Sequence, residues 1–372
     1  MSADRHAWAV EAAQRRDSHR TESANRVVLL GTAGGSNPNA TRCGFSNAVV
    51  VGDAVYLVDC GEGVHRQLWR AGLTANPRFG HGTRPLVRAV CVTHLHADHL
   101  MDLPNLLQGS WPNTPIDVYG PAPAGAPFTT WNDPVHPVRF PECPAPGIRA
   151  VVDHFNRAFA ANINARIIAE HRTDYIDSLR VHEIGLAGEH TDAQPGDVRV
   201  DFGAAAIDRT TAQFTMPAVE PFVVRPEDDH GVAITATLVQ HPPMFPAFAF
   251  RFDTPTGAVV FSGDTSPCDN VVRLAENADL LVHEVIDLDA LLTRFANQPN
   301  LETIRGQLAR SHTPVELVGA IAAKAGVSTL VLSHLVPSED CHTTAEWEDL
   351  ARGPFSGDVV CGVDLDELPI GR

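Results

Sequence analysis

Six residues, His94-Leu95-His96-Ala97-Asp98-His99, constrain this chain more than any other stretch. They follow Val87-Arg88-Ala89-Val90-Cys91-Val92, an apolar, β-branched run that reads as a buried strand, and they precede Leu100-Met101-Asp102-Leu103, which reads as a helix start. Three imidazoles and a carboxylate on one strand-to-helix turn suit a borderline divalent cation. A lone histidine on a turn is usually just hydrogen-bonded. Three with an aspartate inside six residues are seldom explained that way.

One turn holds too few donors for two closed metal sites, and three more strand-like runs end in donors. Thr237-Leu238-Val239-Gln240 ends at His241, Ala258-Val259-Val260-Phe261 leads through Ser262-Gly263 to Asp264, and Thr329-Leu330-Val331-Leu332-Ser333 ends at His334. Four strands that each deliver a ligand at the C-terminal end predict one shared site in an α/β fold.

These seven residues resemble the dinuclear site of the metallo-β-lactamase-fold hydrolases, and the chain is most similar to the ribonuclease Z and arylsulfatase-like branch. The narrower likeness rests on Leu30-Gly31-Thr32-Ala33-Gly34-Gly35, Leu57-Val58-Asp59-Cys60-Gly61-Glu62-Gly63, Val282-His283-Glu284-Val285 and Ser311-His312-Thr313. The resemblance implies an αββα sandwich, two central mixed sheets flanked by helices. By ligand arithmetic one ion belongs to His94, His96 and His241, the other to Asp98, His99 and His334, with Asp264 bridging through its two oxygens. Zinc is the expected metal, with manganese or iron(II) as alternatives. Two such ions activate a water as nucleophile. Asp98 is expected to take its proton, His312 to act on the leaving group, Glu284 to orient His312, and His283 and Asp59 to order the surroundings.

The 372 residues divide into a helical extension over residues 1–25 and a catalytic domain over 26–372, with an inserted region at 121–229. In that insertion Phe155, Phe159, Ile163 and Ile167 recur every four residues and predict an amphipathic helix. The insertion either closes over the metals as a lid or forms an oligomer contact in a homodimer. As a lid it would bring Phe155 and Phe159 to a substrate pocket walled by Met244 and Phe245.

Hydrophobic residues make up 44% and charged residues 20%, as in a soluble globular protein. Seven cysteines without a Cys-x-x-Cys pair, no apolar leader and no membrane-length run point to the cytoplasm, with no membrane partner. The net charge of −17, with no basic run, argues against a nucleic-acid partner. The interval Pro242–Gly263 is also too short for the tRNA-grasping arm that the resemblance implies there. The expected activity is hydrolysis of a small phosphodiester or related ester. A lactonase or carboxyl-ester hydrolase is the first alternative, and tRNA 3′ processing is ranked below both.

Overall fold

The computed structural model describes residues 25–73 except 38, 86–110, 114–124, 139–187 except 141 and 144, 192–201, and 216–371 except 294–295, 297–299 and 340. Of the expected helical extension, residues 1–24 lie outside the described residues, and Asn25 already belongs to the first strand.

Strands β1 (Asn25–Gly31), β2 (Ser46–Val51), β3 (Ala54–Val58), β4 (Leu86–Cys91), β5 (Ile116–Pro121), β6 (Leu179–Leu186) and β7 (Val198–Val200) join the C-terminal β15 (Glu367–Pro369) in one sheet, ordered β15-β1-β2-β3-β4-β5-β6-β7. Strands β8 (Phe222–Arg225), β9 (Ala233–Leu238), β10 (Phe248–Thr254), β11 (Gly257–Phe261), β12 (Leu280–Ile286), β13 (Thr329–Val336) and β14 (Asp358–Cys361) form the second, in reverse order β14 to β8. Each sheet is antiparallel at one end and parallel at the other. The parallel connections carry the helices, because a strand cannot return to a parallel neighbour through a tight turn. The result is two mixed sheets flanked by helices, the sandwich expected from the resemblance.

The sequence pattern explains why both faces of each sheet are covered. Along β1, Val27 and Leu29 enter the core between the sheets, while Val28 and Leu30 enter a second core under the outer helices. In β11, Val259 and Phe261 face the inner core and Ala258 and Val260 an outer one. Residues two apart share a face, so continuous apolar runs are what two buried faces require.

The stretch expected as an insertion is built into this frame. Strands β6 and β7 extend the first sheet and β8 edges the second. In chain order the helices include α1 (Val64–Arg70), α2 (Ala97–Leu100), α3 (Leu103–Ser110), α4 (Ile148–Ala158), α5 (Ala160–Glu170), α6 (Asp269–Leu274), α7 (Leu288–Leu292) and α8 (Leu301–Ser311). Helices α4 and α5 lie in the outer layer, where Ile148, Val152 and Ile163 are buried beside Val118 of β5. The helix expected around Phe155–Ala169 thus begins seven residues earlier and changes direction at Phe159, which ends α4 with φ −102°. The inward stripe starts from Ile148 and Val152, leaving Phe155 half-buried and Phe159 44% exposed. Among the described residues no helix is long and apolar enough to cross a membrane.

Candidate metal centre

The expected donors converge at the C-terminal ends of β4, β11 and β13 and just past β9, the end of an open α/β sheet where ligands usually bind. His94 and His96 follow β4, and Asp98 and His99 lie on the single-turn helix α2 (Ala97–Leu100). Gly263 delivers Asp264 from β11 with φ +58°, and a Cβ there would sit 2.6 Å from the Phe248 carbonyl oxygen, so glycine is required. His334 takes φ +49° at a register shift in β13. A non-glycine residue in this region costs about 1–3 kcal/mol. The packed surroundings hold it, and the effect is to aim the imidazole at Asp264.

Two groups form around Asp264. On one side His94 Nε2 lies 2.9 Å and His241 Nε2 3.1 Å from His96 Nδ1, and both Nε2 atoms stand 3.8 Å from Asp264 Oδ2. On the other, His334 Nε2 and His99 Nε2 lie 3.3 and 3.4 Å from Asp264 Oδ1, with Asp98 Oδ2 3.4 Å from His334. The carboxylate oxygens are divided between the two triads, as a bridging ligand demands. The donor atoms within each group lie within 4.8 Å of one another.

The donor chemistry fits divalent cations. Three imidazole nitrogens converge on the first side. His241 and His94 use their Nδ1 atoms elsewhere and turn Nε2 lone pairs to His96 Nδ1, which as an N–H can serve only one of them, so lone pairs remain for a cation. His99 Nε2 and Asp264 Oδ1 are buried and complete no hydrogen bond, which is costly unless a cation takes their lone pairs.

Surrounding groups fix each ring. Asp59, itself held at φ +62°, accepts from His99 Nδ1 at 2.8 Å, and from the Thr93 amide at 2.7 Å. The Thr93 hydroxyl lies 2.8 Å from Asp59 and 3.1 Å from His94 Nδ1. His241 Nδ1 donates to the Ser311 carbonyl at 2.7 Å. Asp98 accepts from the Gly35 amide at 3.0 Å and the Ser36 hydroxyl at 3.3 Å. Thr93 is not distinguishable in the sequence from an ordinary polar residue, whereas Ser311 is visible only as part of the Ser311-His312-Thr313 box. The Gly34-Gly35 pair is visible there, and a Cβ on Gly34 would strike Val336 and His334.

The electrostatics follow from burial and these partners. Burial lowers His94 well below the usual imidazole range and takes His241 down to about 3, so both rings are neutral and able to coordinate. Burial would also lower His99, but Asp264 and Asp59 outweigh it and raise that ring well above its ordinary value. Burial opposes ionisation of Asp98, yet the hydrogen bond with His334 and the charge of His99 hold its carboxyl low.

Beside Asp264 stands a second polar cluster. Glu284 Oε1 accepts from the amides of Thr265 at 3.0 Å and Thr313 at 3.1 Å and faces His312 Nδ1 at 3.2 Å. His312 would be lowered by burial, but Glu284 and then Asp264 raise it to about 9. Its ring stacks over His334 with centroids 6.0 Å apart. His283 turns away: its Nδ1 bonds the Glu284 carbonyl at 2.7 Å, and the ring is wholly buried.

The expected pocket residues are not brought together. Phe245 is 7% exposed and belongs to the core between the sheets, and Phe155 and Phe159 sit on the outer helices. Met244 is half-buried. The cavity of about 520 Å³ at the metal centre is instead bounded by His96, His241, His312, Pro242, Pro243 and the face of helix α8 (Leu301–Ser311) that carries Ile304 and Arg310. A smaller one of about 170 Å³ opens on the Asp98 side, next to Gly35, Glu62 and Met101.

Fold and site together define a metallo-β-lactamase-fold hydrolase with a divalent-metal site of histidines and aspartates. Residues 55–196 match the model of the beta-lactamase superfamily domain. The chain is 30% identical over 344 residues to a ribonuclease Z of Mycobacterium bovis, covering 92% of this chain and 98% of that protein, and 33% identical over 348 residues to one of Mycobacterium avium with the same coverage. It belongs to the ribonuclease Z family. The crystal structure of human tRNase Z, short form, superposes with a TM-score of 0.56 at 19% identity, covering 93% of this chain and 100% of that one, which speaks for the fold alone.

These relatives overturn the expectation of no nucleic-acid partner, since the proteins that match along nearly the whole chain are ribonucleases by name. The charge argument failed because −17 is a sum over the whole surface. Charges farther from the cleft than a Debye length of about 8–10 Å are screened, and bound cations set the local field themselves.

Proposed function

We propose that the chain is a two-metal phosphodiester hydrolase that cleaves RNA, with zinc as the metal and a precursor tRNA as the first substrate to test. The observation that carries this reading is the division of the Asp264 oxygens between two donor groups, beside a His312–Glu284 pair. The names of the relatives support the choice of RNA.

The residues take distinct roles in this reading. His94, His96 and His241 would hold one ion, and Asp98, His99 and His334 the other, with Asp264 shared. When bound, the ions supply Lewis-acid charge for the scissile phosphate and an activated water. Asp98 faces the smaller cavity and accepts the proton of the attacking water. His312 faces the larger cavity, carries a proton near neutral pH, and gives it to the leaving oxygen. Glu284 holds that proton on the side chain that must deliver it. His283 has no contact with either cavity and serves to order Glu284 through the backbone.

A small phosphodiester is a second substrate under this reading. One observation favours it: β10 and β11 are joined by a tight turn at Thr254–Gly257, so the interval between His241 and Asp264 holds a plain hairpin and no arm. Seven unpaired cysteines support the cytoplasm as the location.

The test is incubation of metal-loaded protein with a precursor tRNA carrying a 3′ extension, with bis(p-nitrophenyl) phosphate, and with a carboxyl ester and a lactone. Cleavage of the RNA that a chelator abolishes is the expected result. No cleavage of the RNA, whether the protein turns over the small diester, the carboxyl ester or the lactone instead, would overturn the proposal.

A further inference from the structure

We infer that Arg310 is a substrate-positioning residue, whose guanidinium holds a non-reacting phosphate of the RNA strand in the cavity beside His312. This inference rests on the functional reading above and names how that site grips its substrate.

Three observations converge on Arg310. It lies in the last turn of α8, two residues before His312, and borders the same cavity as His96, His241 and His312. It is half-buried and, among the described residues, makes no ion pair or side-chain hydrogen bond. In a chain with 45 acidic and 28 basic residues, an arginine left without a carboxylate beside a cleft is conspicuous. Arg305 on the same helix, by contrast, is engaged, pairing with Asp289 at 2.7 Å.

The helix presents a graded wall to the cavity. Ile304 and Leu308 give it an apolar part, and Gln307 and Arg310 a polar part. The space of about 520 Å³ is of the size that takes a drug-sized ligand, ample for more than the scissile phosphate alone. A guanidinium offers a planar fork of donors that matches two phosphate oxygens and does not lose its charge. The wall is also fixed to the metal centre, because the Ser311 carbonyl holds His241 and the Ser311 hydroxyl bonds the Pro242 carbonyl. A phosphate held by Arg310 is therefore held in register with His241 and His312.

A purely structural role is available to Arg310, since a cation near a helix C-terminus is favourable by about 0.3–1 kcal/mol. Such a role would appear in thermal stability and not in the salt dependence of RNA binding.

The experiment compares metal-loaded native protein, Arg310→Gln and Arg310→Lys on a precursor tRNA and on bis(p-nitrophenyl) phosphate across a salt series, with melting temperature and metal content measured alongside. For Arg310→Gln the expected result is a KM for RNA raised roughly ten-fold with little change in kcat, a loss greater than on the small diester. The slope of log KM against log salt should flatten by about 0.7, the share of one phosphate contact on a single strand. Arg310→Lys should recover the slope. If native protein cleaves RNA and Arg310→Gln keeps both KM and slope, the role of Arg310 is overturned alone. If native protein cleaves the small diester and not RNA, the functional reading falls and the Arg310 role with it.

Discussion

Asp59 accepts the Nδ1 proton of His99 at 2.8 Å, with both side chains wholly buried. This fixes Nδ1 as the donor to Asp59 and turns Nε2 toward Asp264, where a bound cation would take the place of the proton that the two carboxylates otherwise favour. Carboxylates placed behind metal-binding histidines typically change metal affinity about 10–100-fold when removed. Asp59→Asn, whose amide can still bond but carries no charge, should weaken binding within that range. Competition with a chromogenic chelator reads it, and unchanged affinity would reduce Asp59 to a packing role.

The His312–Glu284 pair makes a separate prediction. His312→Ala should retain both metals and lose about 10²–10⁴-fold in kcat, the span usual for a general acid. The loss should shrink on substrates with an activated leaving group such as p-nitrophenolate, which needs no proton. Glu284→Gln should lower the pH at which the alkaline limb of the rate profile turns, because the carboxylate is the largest influence raising His312 above the effect of burial. A profile unchanged by Glu284→Gln would contradict the assignment.

Much of the centre was legible in the sequence because its donors sit where apolar strands stop. A strand end fixes direction, and four such ends were visible as β-branched runs closed by His or Asp. The division of Asp264 between two triads followed from counting ligands. The pocket was not legible. Phe245 lies next to a ligand in sequence, yet the chain turns it into the core between the sheets. The wall comes instead from α8, an amphiphilic helix whose sequence gives no sign of which element it will face. Likewise the stripe through Phe155 and Phe159 has helical spacing but cannot say that the helix belongs to the outer layer, where Ile148 and Val152 do the burying.

A pH prediction concerns the face of the first sheet that meets the second, at the start of β5. Asp117 on β5 meets His182 Nε2 at 2.9 Å and Arg180 Nε at 2.8 Å. Burial would raise its carboxyl, but the His182 hydrogen bond and the Arg180 charge outweigh it and hold it below the ordinary range. A group whose pKa is depressed on folding contributes stability above its unfolded value, near 3.9, and loses it as pH falls through the folded value. Asp117→Asn should therefore cost about 1.5–3 kcal/mol at neutral pH, the range for a hydrogen bond to a charged group. The gap between native and variant should close as the pH drops below about 4. Urea unfolding at a series of pH values measures it, and a gap that widens in acid would show the sign to be wrong.

Gly263 tests the link between backbone and site. With φ +58° and the Phe248 carbonyl in the way, Gly263→Ala forces the turn that carries Asp264 to move. The expected cost is about 1–3 kcal/mol, together with weaker metal retention. A variant as stable and as metal-rich as the native protein would show that the turn tolerates a side chain.

The central proposal is that Asp264, whose two oxygens face different donor groups, would be shared by two ions. Quantifying bound metal per chain by mass spectrometry after exhaustive desalting tests it most directly, on native protein, His334→Ala and Asp264→Ala together. The account predicts about two divalent ions in the native protein, one retained on the His94–His96–His241 side in His334→Ala, and weakened retention of both in Asp264→Ala. Native protein that holds a single ion, or an Asp264→Ala variant that loses one ion and keeps the other at native affinity, would contradict the shared ligand.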